Sequence, residues 1–461
     1  MRVFLCQSYM GKKLSNATPL VFPIGLASIA SMIKEDHEVY CWDPNVDDSQ
    51  KPLEKLPSML EKIKPDVVGL SLRNADSSIS TVHRWYYPTF KSTVKTIKNT
   101  LPTCKLIVGG PGFSLFAKEV MVRNHEIDFG VVYEGEHSFA QLLKEMEHPE
   151  RVHSLVFKKN GKLVFTPRTF EDFESLLKPS RELFDVQKYN KHPYALSVET
   201  QRGCRFKCIF CPNNYISGCI CRLRSPKKVA DEVEELVNEY GVNSLFFVAS
   251  VFNYPLRHAH EIIKELIARK VEIDWAADVH PAFVNERFLA DAVKSGGKLF
   301  NFSPDGASDE ALMTLKKNLT VNQVKASISY FKALENVKVG YNFMIDLPSN
   351  NASHVAGLVN LVPRLLAELK EKIAYIGFTK MRIYPHSELY DLAVKEGKID
   401  PNGDILYPKY YSSVHRFSME NLLTNAVGTS TFSFLTVLQQ NSSLANSYLK
   451  AKEFKSKLAK T

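Results

Sequence analysis

Three cysteines fall within eight residues in the run Cys204-Arg-Phe-Lys-Cys208-Ile-Phe-Cys211. Thiolates this close along a chain can turn inward around one metal centre. A cubane iron–sulfur cluster normally takes four thiolates, one per iron. Three therefore leave one iron with an open position, which a molecule offering an amino and a carboxylate group can chelate. Zinc is the rival metal, because Cys219 and Cys221 could complete a four-cysteine set. Zinc ribbons usually pair two Cys-x2-Cys knuckles, however, and only one tight knuckle is present. The iron–sulfur reading is therefore preferred, with Cys219 and Cys221 as spare thiols.

Five of the eight cysteines lie between Cys204 and Cys221, and the others are Cys6, Cys41 and Cys104. In a chain of 461 residues without a secretory leader, such clustering points to metal or redox chemistry in a reducing compartment rather than to a disulfide framework. The N-terminal run MRVFLCQSYMGKK turns polar too soon for a signal peptide, and no apolar stretch reaches the ~20 residues of a membrane span. A cytoplasmic protein is expected. The charge of +9 is mild for this length, and its scattered distribution suggests no nucleic-acid partner.

The elements that must position the cysteines follow from hydrophobic periodicity. Over residues 1–148 short β-rich runs (RVFLC, HEVYCWDP, PDVVGLSL, CKLIVGG, FGVVYEGE) alternate with helical patterns such as PIGLASIASMIKE. This alternation predicts an α/β, doubly wound, Rossmann-like domain with its ligand crevice at the carboxyl ends of parallel strands. Residues 149–190 read as a hairpin around Asn160-Gly161 followed by a linker. Residues 191–390 carry six further βα units, with strands in YALSVETQ, SLFFVAS, IDWAADV, KLFNFSP, VKVGYNFMID and YIGFTKMRIYP. They predict a partial (β/α)6 barrel whose chemistry sits at the strand carboxyl ends. Residues 391–461 read as a mostly helical C-terminal cap.

The Cys-x3-Cys-x2-Cys spacing, with aromatic Phe210 before the last cysteine and a barrel strand just upstream, resembles the signature of the radical S-adenosylmethionine (SAM) superfamily. The resemblance implies a [4Fe-4S] cluster on Cys204, Cys208 and Cys211, with SAM on the fourth iron. An electron from the cluster would then split SAM to a 5′-deoxyadenosyl radical. Phe210 would lie near the adenine. Further cofactor-binding candidates are Ser250 and Asn253 after the second strand, Asp305 at the exit of the fourth, and Arg382 on the sixth. Relatives often carry an acidic residue where Ala249 stands, which leaves a carboxylate role there without a bearer. Asp305 could equally be part of a Pro-Asp-Gly turn, and Arg382 part of a structural salt bridge. Asp278, His280, Asn342 and Asp346 are candidates on position alone.

The N-terminal domain resembles the cobalamin-binding domain that precedes the barrel in one large radical SAM class. The matching positions are Pro23 and Gly25, the Asp43-Pro44 exit, Ser71, Arg73 and Asn74, Gly109 and Gly110, and Glu134, Gly135 and Glu136. The loop Gln7–Gly11 lacks the histidine that many cobalamin proteins offer to cobalt, so cobalamin without a protein histidine on cobalt is expected. A nucleotide site of Rossmann type is disfavoured, because no G-x-G-x-x-G follows the first strand.

The resemblance implies a cobalamin-dependent radical SAM enzyme, with methyl transfer to an unactivated carbon from methylcobalamin as the leading reaction. Its acceptor would be a small metabolite or lipid-like precursor, and its electrons would come from an external donor such as flavodoxin or ferredoxin. Three alternatives stay open: cyclisation, ring contraction or rearrangement with the same cofactors; a methylthiotransferase with a second cluster on Cys6, Cys41 and Cys104; and a non-catalytic corrinoid-binding protein.

Overall fold

The computed structural model describes residues 1–11, 20–80, 83–348 and 351–412. Two sheets organise them. The first has seven strands: β1 Arg2–Gln7, β2 Glu38–Trp42, β3 Val67–Ser71, β4 Lys105–Gly109, β5 Phe129–Val131, β6 Leu155–Lys159 and β7 Lys162–Phe165. Their order is β2-β1-β3-β4-β5-β6-β7. β1 to β5 are parallel, and β6 and β7 are antiparallel. The central strands are near-continuous hydrophobic runs, as a sheet covered by helices on both faces requires. The chain winds outward in both directions from β1, so the carboxyl ends of β1 and β3 form the switch point where such sheets bind ligands. The hairpin expected around Asn160-Gly161 is present. It is not an independent connector, because β6 pairs with β5 and extends the first sheet.

After the two-residue strands β9 (Gln201–Arg202) and β10 (Arg222–Leu223), which follow β8 (Leu196–Glu199) and form their own antiparallel pair, the second sheet continues through five more strands. These are β11 Ser244–Val248, β12 Asp274–Val279, β13 Gly297–Asp305, β14 Lys338–Ile345 and β15 Ile373–Lys380. With β8 they make a six-stranded parallel sheet in strict chain order, β15-β14-β13-β12-β11-β8. The two end strands do not pair with each other, so the barrel is open. Outward residues such as Val198, Phe247, Trp275, Phe300, Tyr341 and Phe378 share one core with the surrounding helices. The helices start where local chemistry permits. Ser225, Asn285, Ser308 and Thr320 each accept a backbone N–H at a helix start, and Thr320 with Gln323 forms a reciprocal capping box.

The chain beyond β15 returns to the first sheet's side. Arg123 pairs with Asp404 at 2.8 Å, and Arg382 bridges to Tyr410. The helix Glu388–Lys395 is present, but residues 396–412 add no helix. The rest of the expected helical cap, residues 413–461, lies outside the described residues.

Candidate functional site

The cysteine run forms a loop between β9 and the short helix Asn213–Ser217. Gly203 opens it at φ +86, and a Cβ there would lie 2.1 Å from the Ile220 carbonyl oxygen, so only glycine fits. The loop is then pinned on both sides. Cys204 N–H donates to Gly218 O at 3.0 Å, Cys211 N–H donates to Cys208 O at 3.1 Å, and Leu389 N–H donates to the Ile209 carbonyl at 2.8 Å. Asn214 Nδ2 donates to Phe206 O at 2.9 Å. Ile209 is 5% exposed and packs in a core that includes Ala311 and Leu315. The three thiols are near enough to feel one another electrostatically. Burial pushes Cys204 up to about 12 and Cys208 up to about 11, with Cys211 raised as well. Without metal these thiols hold their protons, so cluster assembly must release them.

The donor set fits a cluster better than a single ion. Among the described residues no three His, Cys, Asp or Glu side chains gather tightly enough for one metal ion. A cubane puts each thiolate on a different iron and spreads them wider than tetrahedral zinc does. Cys219 is exposed, and Cys221 reaches the Gly203 carbonyl at 3.9 Å and the Arg205 backbone, near enough to Cys204 to push that thiol up as well.

Beside the loop lies a cation that sequence reasoning missed. Lys317, 8% exposed, ion-pairs with Asp305 at 2.6 Å and sits 5.8 Å from the ring centroid of Phe210. Its charge opposes the upward push of burial on Cys208 and Cys211. Asp305 is thus at the cluster loop, with φ +64 at the end of β13 and its carboxylate engaged by Lys317. Ser250 is there too, accepting from Asn213 Nδ2 at 2.8 Å.

Two expected cofactor ligands are spent elsewhere. Arg382 is 4% exposed. Its Nε donates to Asp76 Oδ2 at 3.0 Å, and its Nη atoms donate to the carbonyls of Ile383, Lys409 and Ile405. With every nitrogen occupied, it is the structural salt bridge and not a carboxylate clamp for SAM. Asn253 is fully buried; its Nδ2 donates to the carbonyls of His280 and Phe283, both at 3.0 Å, and its Oδ1 accepts from His280 N–H. It props His280, whose ring stacks on Phe206 of the cysteine loop with centroids 4.9 Å apart. His280 Nε2 donates to Lys317 O and Nδ1 accepts from Ala282 N–H. Burial pushes its pKa down to about 4, so the ring is neutral. His280 therefore supports the loop. Asp346 approaches Lys380 at 3.5 Å.

A cavity of about 330 Å³ opens between the carboxyl ends of the first sheet and the start of the barrel. Pro23, Gly25, Ser71, Arg73, Gly109, Gly110, Glu134, Gly135 and Glu136 all line it, and Asn74 does not. The opposite wall comes from β8 and β9, the end of β11, and Ile216 and Ser217 of the helix that follows Cys211. The cavity thus reaches from the glycine-flanked crevice to the helix that follows the cysteine loop. Two polar groups in its walls lack partners among the described residues. Gln7 Nε2 and Ser197 Oγ are buried without a hydrogen bond. Arg73 lines the same wall without an ion pair as close as 4 Å among the described residues, and burial lowers its pKa against the pull of Asp43. Orphaned polar groups of this kind mark a place for a polar ligand. A corrinoid, rich in amides and carrying a phosphate, fits that demand. The carboxylates of Glu134 and Glu136, in contrast, are taken by the barrel. Arg202 donates to Glu136 at 2.6 Å, and Arg222 donates to both oxygens of Glu134. These two glutamates join the sheets rather than offering free acceptors.

Cys6, Cys41 and Cys104 do not form a second cluster site. Cys6 and Cys104 are buried in one core and Cys41 packs against another.

Comparison with known proteins agrees with this layout. Residues 14–143 match the model of the B12 binding domain, and residues 198–362 match the Radical SAM superfamily. An uncharacterised methyltransferase of Pyrococcus horikoshii is 26% identical over 381 residues, covering 81% of this chain and 78% of its own. An anaerobic magnesium-protoporphyrin IX monomethyl ester cyclase of Cereibacter sphaeroides is 25% identical over 290 residues; the match takes in 60% of this chain and 45% of the cyclase. Among solved structures, the radical SAM methyltransferase TsrM of Kitasatospora setae, with tryptophan and a SAM analogue bound, superposes with a TM-score of 0.73 at 17% identity. That superposition covers 86% of this chain and 76% of TsrM and shows a shared fold.

Proposed function

We propose that this chain, a radical SAM protein carrying a B12-binding domain, is a cobalamin-dependent C-methyltransferase that acts on an unactivated carbon of a small molecule. Residues 1–148 hold cobalamin and residues 191–390 hold the cluster and SAM. When bound, the cluster supplies the electron that splits SAM, and cobalamin carries the transferable methyl group. The residues of the chain do the rest. Cys204, Cys208 and Cys211 hold the cluster and leave one position for SAM. Lys317 and Asp305 place a neutralised ion pair beside it, and Phe210 offers an apolar face. Arg73, Gln7 and Ser197 offer polar groups to the corrinoid. The observation that carries the reading is the cavity whose walls come from both the glycine-flanked crevice and the helix after Cys211.

The test is anaerobic reconstitution with iron, sulfide and hydroxocobalamin, followed by reduction in the presence of SAM. About four irons per chain and release of 5′-deoxyadenosine are expected, and a zinc-loaded protein with no SAM cleavage would overturn the reading. The similarity to a cyclase supports a second reaction with the same cofactors, ring closure without methyl transfer. Product mass separates the two, since methylation adds one methyl group and cyclisation none. Among the described residues no helix is long and apolar enough to cross a membrane. We assign the protein to the cytoplasm, with flavodoxin or ferredoxin as the class of electron donor.

A further inference from the structure

The barrel lumen carries a polar network that neither the cysteine loop nor the cavity of the first sheet includes. Its members are Asp278 on β12, Asn301 and Ser303 on β13, Asn342 on β14 and Tyr375 on β15. They belong to the inward rows, because Trp275, Ala277, Phe300, Phe302, Tyr341 and Phe343 point into the outer core. Asn342 Nδ2 donates to Tyr375 OH and to Ser303 Oγ, each at 3.4 Å. Tyr375 OH donates to Asn301 Oδ1 at 3.0 Å, and Asn301 Nδ2 donates to Asp278 Oδ1 at 3.1 Å. Space for the network is reserved in the strands. A Cβ on Gly340 would come within 2.3 Å of the Tyr375 ring, and one on Gly377 within 2.5 Å of Asn342 Oδ1.

This chain of donors runs one way and ends on a carboxylate. Asp278 Oδ2 has no hydrogen-bond partner among the described residues, and no Lys, Arg or His there lies within ion-pair distance of the group. Asp278 and Ser303 are open to the lumen. Although the carboxylate is open to the lumen, the barrel wall packed around it limits its hydration and raises the Asp278 carboxyl to about 6 against the pull of Asn301. Such a site lacks donors and positive charge, and a protonated amine supplies both. We propose that Asp278, held by Asn301 and Tyr375, binds a protonated amino group of the methyl acceptor, so that the acceptor is an amine-bearing polar molecule and not a bare hydrocarbon lipid. The proposal rests on the reading of the barrel as a SAM-cleaving site with its acceptor in the lumen.

The same carboxylate could hold hydroxyl or amino groups of SAM, and the experiment separates the two sources. Full-length protein and the near-isosteric Asp278→Asn variant are compared for binding of n-propylammonium and of neutral 1-propanol, by ligand-observed NMR in the presence and absence of SAM. SAM affinity is measured in parallel on the reconstituted proteins. The expected result is at least tenfold weaker n-propylammonium binding to Asp278→Asn, little change for 1-propanol, restoration in Asp278→Glu, and a SAM affinity within about twofold of wild type. Equal amine binding by wild type and Asp278→Asn would overturn the proposal. So would a tenfold loss of SAM affinity in Asp278→Asn, or displacement of the amine by SAM. The amine measurement does not need the cluster, so failure of the parent reading would show separately as absent cluster absorbance.

Discussion

Arg202 of the barrel donates from Nη2 to Glu136 of the first sheet's side at 2.6 Å, with the two side chains 9% and 5% exposed. The same guanidinium makes two bonds to Glu199, both at 2.9 Å, and lies 3.8 Å from Glu134. One cation thus serves three carboxylates where the two sheets meet. Removing one partner of a buried pair leaves uncompensated charge, at a cost of about 3–5 kcal/mol. Arg202→Ala is expected to lower the urea midpoint accordingly, and Glu136→Gln to do so less. The pH dependence has a definite sign. Burial alone would raise the Glu136 carboxyl, but the charge and hydrogen bonds of Arg202 outweigh it and the net shift is down. A carboxyl lowered on folding stabilises above its unfolded value, about 4.3, and that gain is lost as pH falls through the folded value. Acid titration of stability should show this loss in wild type and not in Glu136→Gln.

Arg73 offers a test with two readouts. Its half-buried guanidinium lines the cavity, makes no ion pair within 4 Å among the described residues and feels Asp43 only at longer range, so it has hydrogen bonds to give a ligand. Charge-assisted hydrogen bonds contribute about 1.5–3 kcal/mol. Arg73→Met should weaken hydroxocobalamin binding roughly 10- to 100-fold in equilibrium dialysis. The stability of the ligand-free protein should change little by comparison, because the relief of a desolvated charge is offset by loss of the positive charge that favours the Asp43 carboxylate.

What could be read from the chain, and what could not, divides along the range of the interactions. The thirteen strands expected in the two sheets and in the hairpin announce themselves through local periodicity, and the cysteine triplet through spacing alone. The fates of Arg382 and Asn253 were hidden, because the carbonyls they satisfy belong to Ile405, Lys409, His280 and Phe283, which no local pattern links to them. Glu134 and Glu136 matched a cobalamin-domain pattern through their backbone position, while their side chains answer to Arg222 and Arg202 more than sixty residues away. Lys317 carried no signal. It follows an ordinary amphipathic turn and reaches the cluster loop only because β13 places Asp305 there.

Gly203 sets the entry angle of the cysteine loop. At φ +86, with a would-be Cβ 2.1 Å from a backbone oxygen, alanine must move either the loop or the Ile220 segment. The left-handed conformation alone costs an L residue about 1–2 kcal/mol. Gly203→Ala is expected to fall well below four irons per chain after reconstitution, while circular dichroism of the two sheets changes little. Full iron loading would show that the loop tolerates the shift.

Lys317 and Asp305 should behave as a coupled pair. Lys317→Met strands a buried carboxylate and is expected to cost about 3–5 kcal/mol. Lys317→Met combined with Asp305→Asn should cost less than the sum, and a double-mutant cycle measures the difference. A second readout bears on the cluster. A fixed positive charge nearby favours the more negative, reduced state, so Lys317→Met should move the cluster midpoint to more negative potential in an EPR-monitored redox titration. A midpoint unchanged by the substitution would confine Lys317 to the fold.

Asp278 should make the ligand-free protein less stable as pH rises through the acid range. Its carboxyl is raised to about 6 on folding, from an ordinary value of 3.8, by burial. Between those values the folded state holds a proton that the unfolded state has released, so unfolding stability falls as pH climbs through the window and levels off above it. The titratable neighbour that feels this charge is Tyr375, which stays neutral there because burial and Asp278 both push its phenol up. Asp278→Asn removes the ionisation but keeps an acceptor for Asn301. Its stability advantage over wild type should grow from pH 4 to pH 6 and then remain constant. A saturating amine ligand should shrink that advantage at pH 7 by restoring the missing counter-charge to wild type alone, and urea midpoints measured with and without n-propylammonium would show whether it does.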